Sequence, residues 1–271
     1  MPELPEVETV CRGLRPYLEG FVLDSVILNR SDLRYPFPPD FRKCLRKVRV
    51  KTVDRKAKYI LIHLENNYTL LIHLGMSGRL LINPKAPSIH DHVHFILEEG
   101  NIIYKDPRRF GFMDLIPTAK IGQHKFLKKL GIDPLSNTLT STYLEAHFKK
   151  REVSIKKILL SQNIIAGLGN IYVNEALFAS GIHPKKNCNE LKSRELKKLC
   201  EAIKSVLKKA ILSGGSTLND HRQVDGTLGY FQHEFKVYGK ENLPCELCAD
   251  PIKRIVQSGR STFYCGSCQK Q

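Results

Sequence analysis

The chain has 271 residues, enough for two domains with sizeable cores, and its 43 Lys+Arg against 27 Asp+Glu give a net charge of +16. Such an excess points to a polyanionic partner, either nucleic acid or an anionic membrane surface. No apolar run approaches the roughly 18 residues of a membrane-crossing helix, and the N-terminus is acidic rather than basic-then-apolar, so a soluble, intracellular protein is expected.

The chain opens Met1-Pro2-Glu3-Leu4-Pro5-Glu6-Val7-Glu8. An initiator methionine is normally trimmed before a residue as small as Pro2, leaving a proline with a free secondary amine. An α-amino group has a pKa of roughly 7.7–8, against about 10.4 for lysine, so a useful fraction is neutral at pH 7. A secondary amine condenses well with an aldehyde-like carbon, and the adjacent Glu3 can give or take a proton. Together they are the minimum equipment for Schiff-base chemistry. The alternative is structural: Pro2 is a good first helical residue, and the glutamates complement the helix dipole. Val7, Val10, Cys11 and Leu14 fall at helical spacing, so residues 3–15 read as an amphipathic helix stopped by Pro16 and Gly20.

Short runs rich in Val, Ile, Leu and aromatics follow at 21–28, 47–53, 58–64, 68–74, 93–97 and 102–104, punctuated by Gly, Pro, Asn and Asp, with a short helix over 40–46. Several short strands after one helix indicate a β-sandwich rather than an alternating parallel fold. Past Leu130-Gly131-Ile132-Asp133-Pro134 the texture becomes helical, at 143–148, 154–161, 174–180 and 194–212. Ser193 is placed to cap the last helix and Gly214-Gly215 to stop it. A domain boundary falls near 131–136. Cys11, Cys44, Cys188 and Cys200 are scattered through patterned segments and read as reduced core thiols.

The C-terminal segment carries the sharpest local motif. Cys245-x2-Cys248, sixteen residues, then Cys265-x2-Cys268 matches the spacing of a four-cysteine zinc site. The insert reads as a β-hairpin turning at Ser258-Gly259, with Arg260 near its tip. A site closed by four protein ligands has no open position for catalysis, so the zinc is structural.

Three further stretches stand out. His73-Leu74-Gly75-Met76-Ser77-Gly78 and Asp106-Pro107-Arg108-Arg109-Phe110-Gly111 offer Met76 and Phe110 beside arginines, fit either to wedge into a base stack or to serve as core residues near a solvated arginine pair. Gly167-Leu168-Gly169-Asn170-Ile171-Tyr172 lies between helices and fits a phosphate-directed turn or an ordinary helix–helix turn. Lys58, in Arg55-Lys56-Ala57-Lys58-Tyr59, sits in a basic cluster that is either a solvated face or a phosphate contact.

In this order these motifs, with His90-Asp91-His92, Val237-Tyr238-Gly239-Lys240 and Ser258-Gly259-Arg260-Ser261-Thr262-Phe263-Tyr264-Cys265, make the chain similar to the bacterial formamidopyrimidine-DNA glycosylases over almost its full length. The resemblance implies an α+β multidomain fold: an N-terminal β-sandwich with flanking helices (1–133), a helix–two-turns–helix domain (134–235) and a four-cysteine zinc finger (236–271). It implies removal of 8-oxoguanine and formamidopyrimidines and cleavage at abasic sites in double-stranded DNA, by a monomeric, cytoplasmic, nucleoid-associated bacterial enzyme with no membrane partner and one structural zinc ion.

Carried across by position, Pro2 matches the nucleophile that attacks C1′ and forms the Schiff base. Glu3 matches the acid acting on the sugar ring oxygen, Lys58 a phosphate contact and proton donor in elimination, and Arg260 the finger arginine gripping phosphates beside the lesion. Met76, Arg108 and Phe110 match the residues that fill the gap and face the orphaned cytosine. His90, Arg151, Lys156 and Asn170 fall at or near DNA-backbone contacts. Cys11 and Arg151 depart from the family's usual arginine and lysine. The loop from 216 to 230, whose 221–225 stretch is idiosyncratic, corresponds to the one that covers the flipped base. The rival on this scaffold, endonuclease VIII, begins PEGPE, unlike Pro2-Glu3-Leu4-Pro5-Glu6. A non-enzymatic zinc-finger protein would explain the charge and the cysteines but not that opening, and a lysine-based glycosylase is the third alternative.

Overall fold

A computed structural model describes the chain except residues 1, 85, 217–223, 226, 228 and 271. Two compact units result, Met1–Lys128 with Ser213–Gln232 and Lys129–Leu212 with His233–Gln271.

The first unit begins with α1 (Leu4–Leu18), whose Val7, Val10, Cys11, Leu14 and Leu18 are all buried. The helix runs past Pro16, where the sequence pattern ends it. A proline in the last turn forfeits one backbone bond, and burial of Leu18 in the core outweighs that loss. Among the described residues eight antiparallel strands follow: β1 (Val22–Leu28), β2 (Val48–Lys56), β3 (Tyr59–Leu64), β4 (Tyr68–His73), β5 (Arg79–Ile82), β6 (Asp91–Leu97), β7 (Asn101–Lys105) and β8 (Phe112–Pro117). A four-residue helix, α2 (Phe41–Cys44), lies between β1 and β2.

Strand order is β5-β7-β6-β1-β2-β3-β4-β8. The β1–β2 seam pairs only Val22 with Arg49 and Leu23 with Val48, so the order divides there into two four-stranded halves. Both halves feed one core: Leu23, Val26, Phe95 and Tyr104 from one, Val53, Ile60, Ile62 and Ile72 from the other, with Val10 and Leu14 of α1. The sandwich therefore closes on a single apolar centre. Of the lesion-capping loop expected at 216–230, residues 217–223, 226 and 228 lie outside the described residues. Val224 is buried in this core.

The second unit contains α3 (Ser141–Phe148), α4 (Ile155–Leu159), α5 (Asn170–Ser180) and α6 (Ser193–Leu212). Thr140 and Ser154 cap α3 and α4 through their hydroxyls, accepting from the N–H groups of Tyr143 and Lys157. α5 starts four residues before its apparent periodicity, because nearly all its residues are buried and no polar stripe marks its first turn. Ser193 is already helical; at this helix head the Lys192 N–H donates to the Glu195 carboxylate at 3.0 Å.

Strands β9 (Lys253–Gln257) and β10 (Arg260–Tyr264) form a hairpin with Gln257 opposite Arg260. Ser258 and Gly259 both take positive φ, 51° and 72°, as a tight primed turn requires. Buried Glu175 of α5 accepts the N–H groups of Lys236, Val237 and Tyr238 at 2.9, 3.0 and 2.8 Å, fastening the segment that leads into the finger. Burial pushes its carboxyl up, and the three N–H bonds oppose that rise. Cys11, Cys188 and Cys200 are buried free thiols as expected, and Cys44 is half-buried. Among the described residues no helix is long and apolar enough to cross a membrane.

Candidate functional site

Pro2 and Glu3 are buried at the head of α1. The Glu3 N–H donates to Glu6 Oε2 at 2.8 Å, as in a capping box. Glu6, itself buried, also accepts the Ser216 N–H and hydroxyl on Oε1 at 2.9 and 3.0 Å. One carboxylate thus ties the head of the helix to a segment 210 residues away.

One helical turn on, Glu8 holds Arg12 and Arg55, with Arg55 Nε 2.9 Å from Glu8 Oε2. Burial raises the Glu8 carboxyl, but its hydrogen bonds to Arg12 and Arg55 and their charges hold it below the ordinary value. Arg55 also donates to the Ala57 carbonyl at 3.1 Å. Ala57 and Lys58 form the two-residue turn between β2 and β3, so α1 braces the turn that carries Lys58. Lys58 is buried rather than part of a solvated face. Burial first, then the charges of Lys58 and Arg34, depress His73 to about 4. The neutral ring accepts the Gly75 N–H on Nδ1 at 3.2 Å.

Met76 and Phe110 stand out from two loops at 40% and 43% exposure, far above the buried aliphatic residues around them. The Arg108 guanidinium lies 4.8 Å from the Phe110 ring centroid. Asp106 anchors both loops. Its Oδ1 accepts the Ser77 hydroxyl at 2.5 Å, and its Oδ2 accepts the Tyr104 hydroxyl at 3.1 Å and the Gly111 N–H at 2.9 Å. Gly75, at φ +63°, leaves no room for a side chain against the Phe110–Gly111 backbone. His90 is half-buried, and its carbonyl accepts the Asp106 N–H. His92, lowered chiefly by burial, donates Nε2–H to the Asp106 carbonyl at 2.9 Å.

In the second unit Lys156 is fully buried, and its ammonium donates to the Ser261 carbonyl at 2.8 Å and the Thr262 hydroxyl at 2.6 Å. Asn170 Nδ2 donates to the same Ser261 carbonyl at 2.9 Å. Two residues expected at the DNA backbone thus meet on the residue that follows Arg260, which is exposed at the tip of the hairpin. Arg151 is exposed, and its carbonyl accepts the Cys188 thiol at 3.1 Å.

The sulfur atoms of Cys245, Cys248, Cys265 and Cys268 all lie within 4.8 Å of one another. Cys248 and Cys265 are 3.4 Å apart, and Cys245 and Cys268 3.9 Å. A tetrahedral zinc with Zn–S bonds of about 2.3 Å has S–S edges of about 3.8 Å, so the four thiols fit one ion with no open position.

This geometry is accompanied by likeness along the whole chain. The Formamidopyrimidine-DNA glycosylase N-terminal domain pattern matches residues 1–113, its H2TH domain 130–222, and the Zinc finger found in FPG and IleRS 242–271. Formamidopyrimidine-DNA glycosylase of Roseobacter denitrificans is 50% identical over 283 residues, covering all of both chains. The chain belongs to the formamidopyrimidine-DNA glycosylase family. The crystal structure of the MutM (Fpg) protein from Thermus thermophilus superimposes with a TM-score of 0.89 at 37% identity, covering 99% of this chain and 98% of that one. A Lactococcus lactis Fpg variant in complex with a Fapy-dG containing DNA gives 0.91 at 33% identity over the full length of both. The family's N-terminal region, H2TH domain and four-cysteine finger are all present, and the finger takes one structural zinc.

Motif reading alone did not single out Glu6, Glu8, Arg55, Ser77 and Asp106, whose bonds hold the segments carrying the candidate residues. All five lie inside the motifs quoted from the sequence. Each also bonds to a group remote in the chain: Glu6 to Ser216, Glu8 to Arg55, and Ser77 to Asp106.

Proposed function

We propose that the chain excises oxidised purines, 8-oxoguanine and formamidopyrimidines, from double-stranded DNA and nicks the strand at the abasic site through a Schiff base on Pro2. The observation that carries this reading is the head of α1: Pro2 and Glu3 are buried beside each other and fastened by Glu6. The lone pair of the Pro2 amine forms an N–C1′ bond, and the glycosidic bond breaks with its electrons to the base, which takes up the proton that the amine gives up. Glu3 protonates the ring oxygen as the sugar opens, leaving an iminium. The iminium acidifies C2′; loss of that proton expels the 3′ phosphate, and a second elimination expels the 5′ phosphate.

Lys58 is the proposed phosphate contact and proton donor for elimination. Met76, Phe110 and Arg108 are proposed to fill the vacated stack and read the opposite base, because a base is processed only after eversion. Arg260 grips phosphates from the hairpin tip. His90 and Arg151 are proposed as backbone contacts. Lys156 and Asn170 act on the DNA by holding the strand that bears Arg260, which their bonds to Ser261 support. The units of function proposed are 1–133, 134–235 and 236–271. The Fapy-dG containing DNA bound by the Lactococcus lactis relative supports the substrate class.

Borohydride reduction during turnover of an 8-oxoguanine duplex tests the chemistry. A covalent adduct mapped by peptide mass spectrometry to the Pro2 nitrogen is expected, and Glu3→Gln should lose base release because an amide cannot supply the proton. An adduct on Lys58, or undiminished base release by Glu3→Gln, would overturn the assignment.

A further inference from the structure

We propose that Asp106 is a positioning residue that determines specificity: its buried carboxylate fixes Met76 and Arg108 relative to each other, so that reading the opposite base and filling the vacated stack occur as one event. The inference rests on the proposed roles of Met76 and Arg108.

Asp106 is 0% exposed, and every polar atom it has is engaged. Its N–H donates to the His90 carbonyl at 3.0 Å, and its own carbonyl accepts from His92 at 2.9 Å. The carboxylate serves two loops at once. Oδ2 receives the Gly111 N–H, at the far end of the Arg108 loop, and the Tyr104 hydroxyl. Oδ1 receives the hydroxyl of Ser77, the neighbour of Met76. Ser77 Oγ in turn accepts the Arg108 N–H at 3.2 Å. A relay therefore runs from the Arg108 N–H through the Ser77 hydroxyl to Asp106, crossing from the reading loop to the wedge loop.

These bonds around the carboxylate and the Ser77 hydroxyl leave little freedom. The Ser77 oxygen gives its single proton to Asp106 and takes one from Arg108, so its rotor is fixed. Gly75 and Gly111 allow the backbones to touch where any side chain would hold them apart. A carboxylate is costly to bury unless it is bonded, and a carboxamide of the same shape could not accept from three donors on the same two atoms. Three donors converge on two oxygens, which suits a group that only accepts. Buried as it is, Asp106 does not touch DNA; its effect passes through Ser77 and the loop backbone. Displacing Ser77 releases the Arg108 N–H and moves the residue next to Met76 together.

The test uses the full zinc-loaded chain and Ser77→Ala, a smaller perturbation than Asp106→Asn. Single-turnover excision of 8-oxoguanine is measured opposite cytosine and opposite adenine, alongside borohydride trapping on a single-stranded abasic oligonucleotide, which has no opposite base to read. The unmodified chain should prefer cytosine by roughly ten- to a hundredfold, the scale of one good base contact. Ser77→Ala should cut that preference by about tenfold while trapping on the single strand stays within about twofold. Adding Ser77→Ala to Arg108→Ala should change the ratio no further, because both act on one contact. If the unmodified chain shows no preference, the role of Arg108 fails and takes the proposal with it. If the unmodified chain prefers cytosine and Ser77→Ala keeps the full preference, the base-reading role stands and the Asp106 proposal is overturned. Equal losses opposite both bases and on the single strand would assign Ser77 to stability alone and overturn the proposal in the same way.

Discussion

The Glu6 carboxylate accepts the backbone N–H of Glu3, three residues back, at 2.8 Å. Its other oxygen holds Ser216, so the acidic residue next to Pro2 is fixed by a group that reaches across the unit. A glutamine at this position has one accepting oxygen and cannot serve both. Glu6→Gln should cost about 1–3 kcal/mol in chemical denaturation, the scale of a buried bond to a charged group. Borohydride trapping at a saturating abasic duplex should slow by about tenfold with little change in KM. An unchanged trapping rate would show that the Pro2 amine does not depend on this cap.

Lys156 reaches Ser261 and Thr262 from within the protein, 105 and 106 residues away in sequence. Lys156→Met should weaken duplex binding by about tenfold, because the strand that starts at Arg260 loses its anchor. In an Arg260→Ala background the same change should add little, since two residues acting through one contact are not additive. Full additivity, with a further fall of about one in the salt slope, would instead mark Lys156 as a phosphate contact of its own.

The finger should lose its metal and its DNA affinity together. Cys248→Ser removes one of four thiols placed for a tetrahedron. The expected outcome is loss of bound zinc by atomic absorption and a parallel loss of DNA affinity of at least about tenfold, since folding of so small a module is coupled to its metal. Affinity that survives metal loss would place the finger outside the binding surface.

His73 gives a pH signature. Its folded value is about 4 against an ordinary 6.5, chiefly through burial and then through Lys58 and Arg34. Between those values the unfolded chain takes up a proton that the folded chain refuses, so stability from this residue is full above pH 6.5 and falls as pH drops toward 4. The loss is at most about 3.5 kcal/mol, because each tenfold change in proton affinity is worth about 1.4 kcal/mol. His73→Gln should flatten the urea-denaturation midpoint across pH 4–6.5. An unaltered slope would assign the acid lability to other groups.

Local order determined much of this protein in advance. The helix behind Pro2, six of the eight described strands, the four helical segments of the second unit and the hairpin between two cysteine pairs all follow from spacings of two to four residues, where side-chain direction repeats with the backbone. The four zinc ligands were legible for the same reason, and so was the chemistry proposed for Pro2 and Glu3, which residue type and short spacing suggest; Lys58 stood open between a solvated face and a phosphate contact until the family resemblance gave it a role. The short edge strands β5 and β8 were not legible, because four and six residues with mixed burial are defined by their partners β7 and β4 rather than by their own pattern. Only the tertiary structure decided that Pro16 stays within its helix, that Lys156 faces inward to the hairpin, and that Glu6 and Asp106 each join segments distant in sequence. A buried polar group must find its partners wherever the folded chain brings them, and those partners lie 29 to 210 residues away at Ser77 and Ser216.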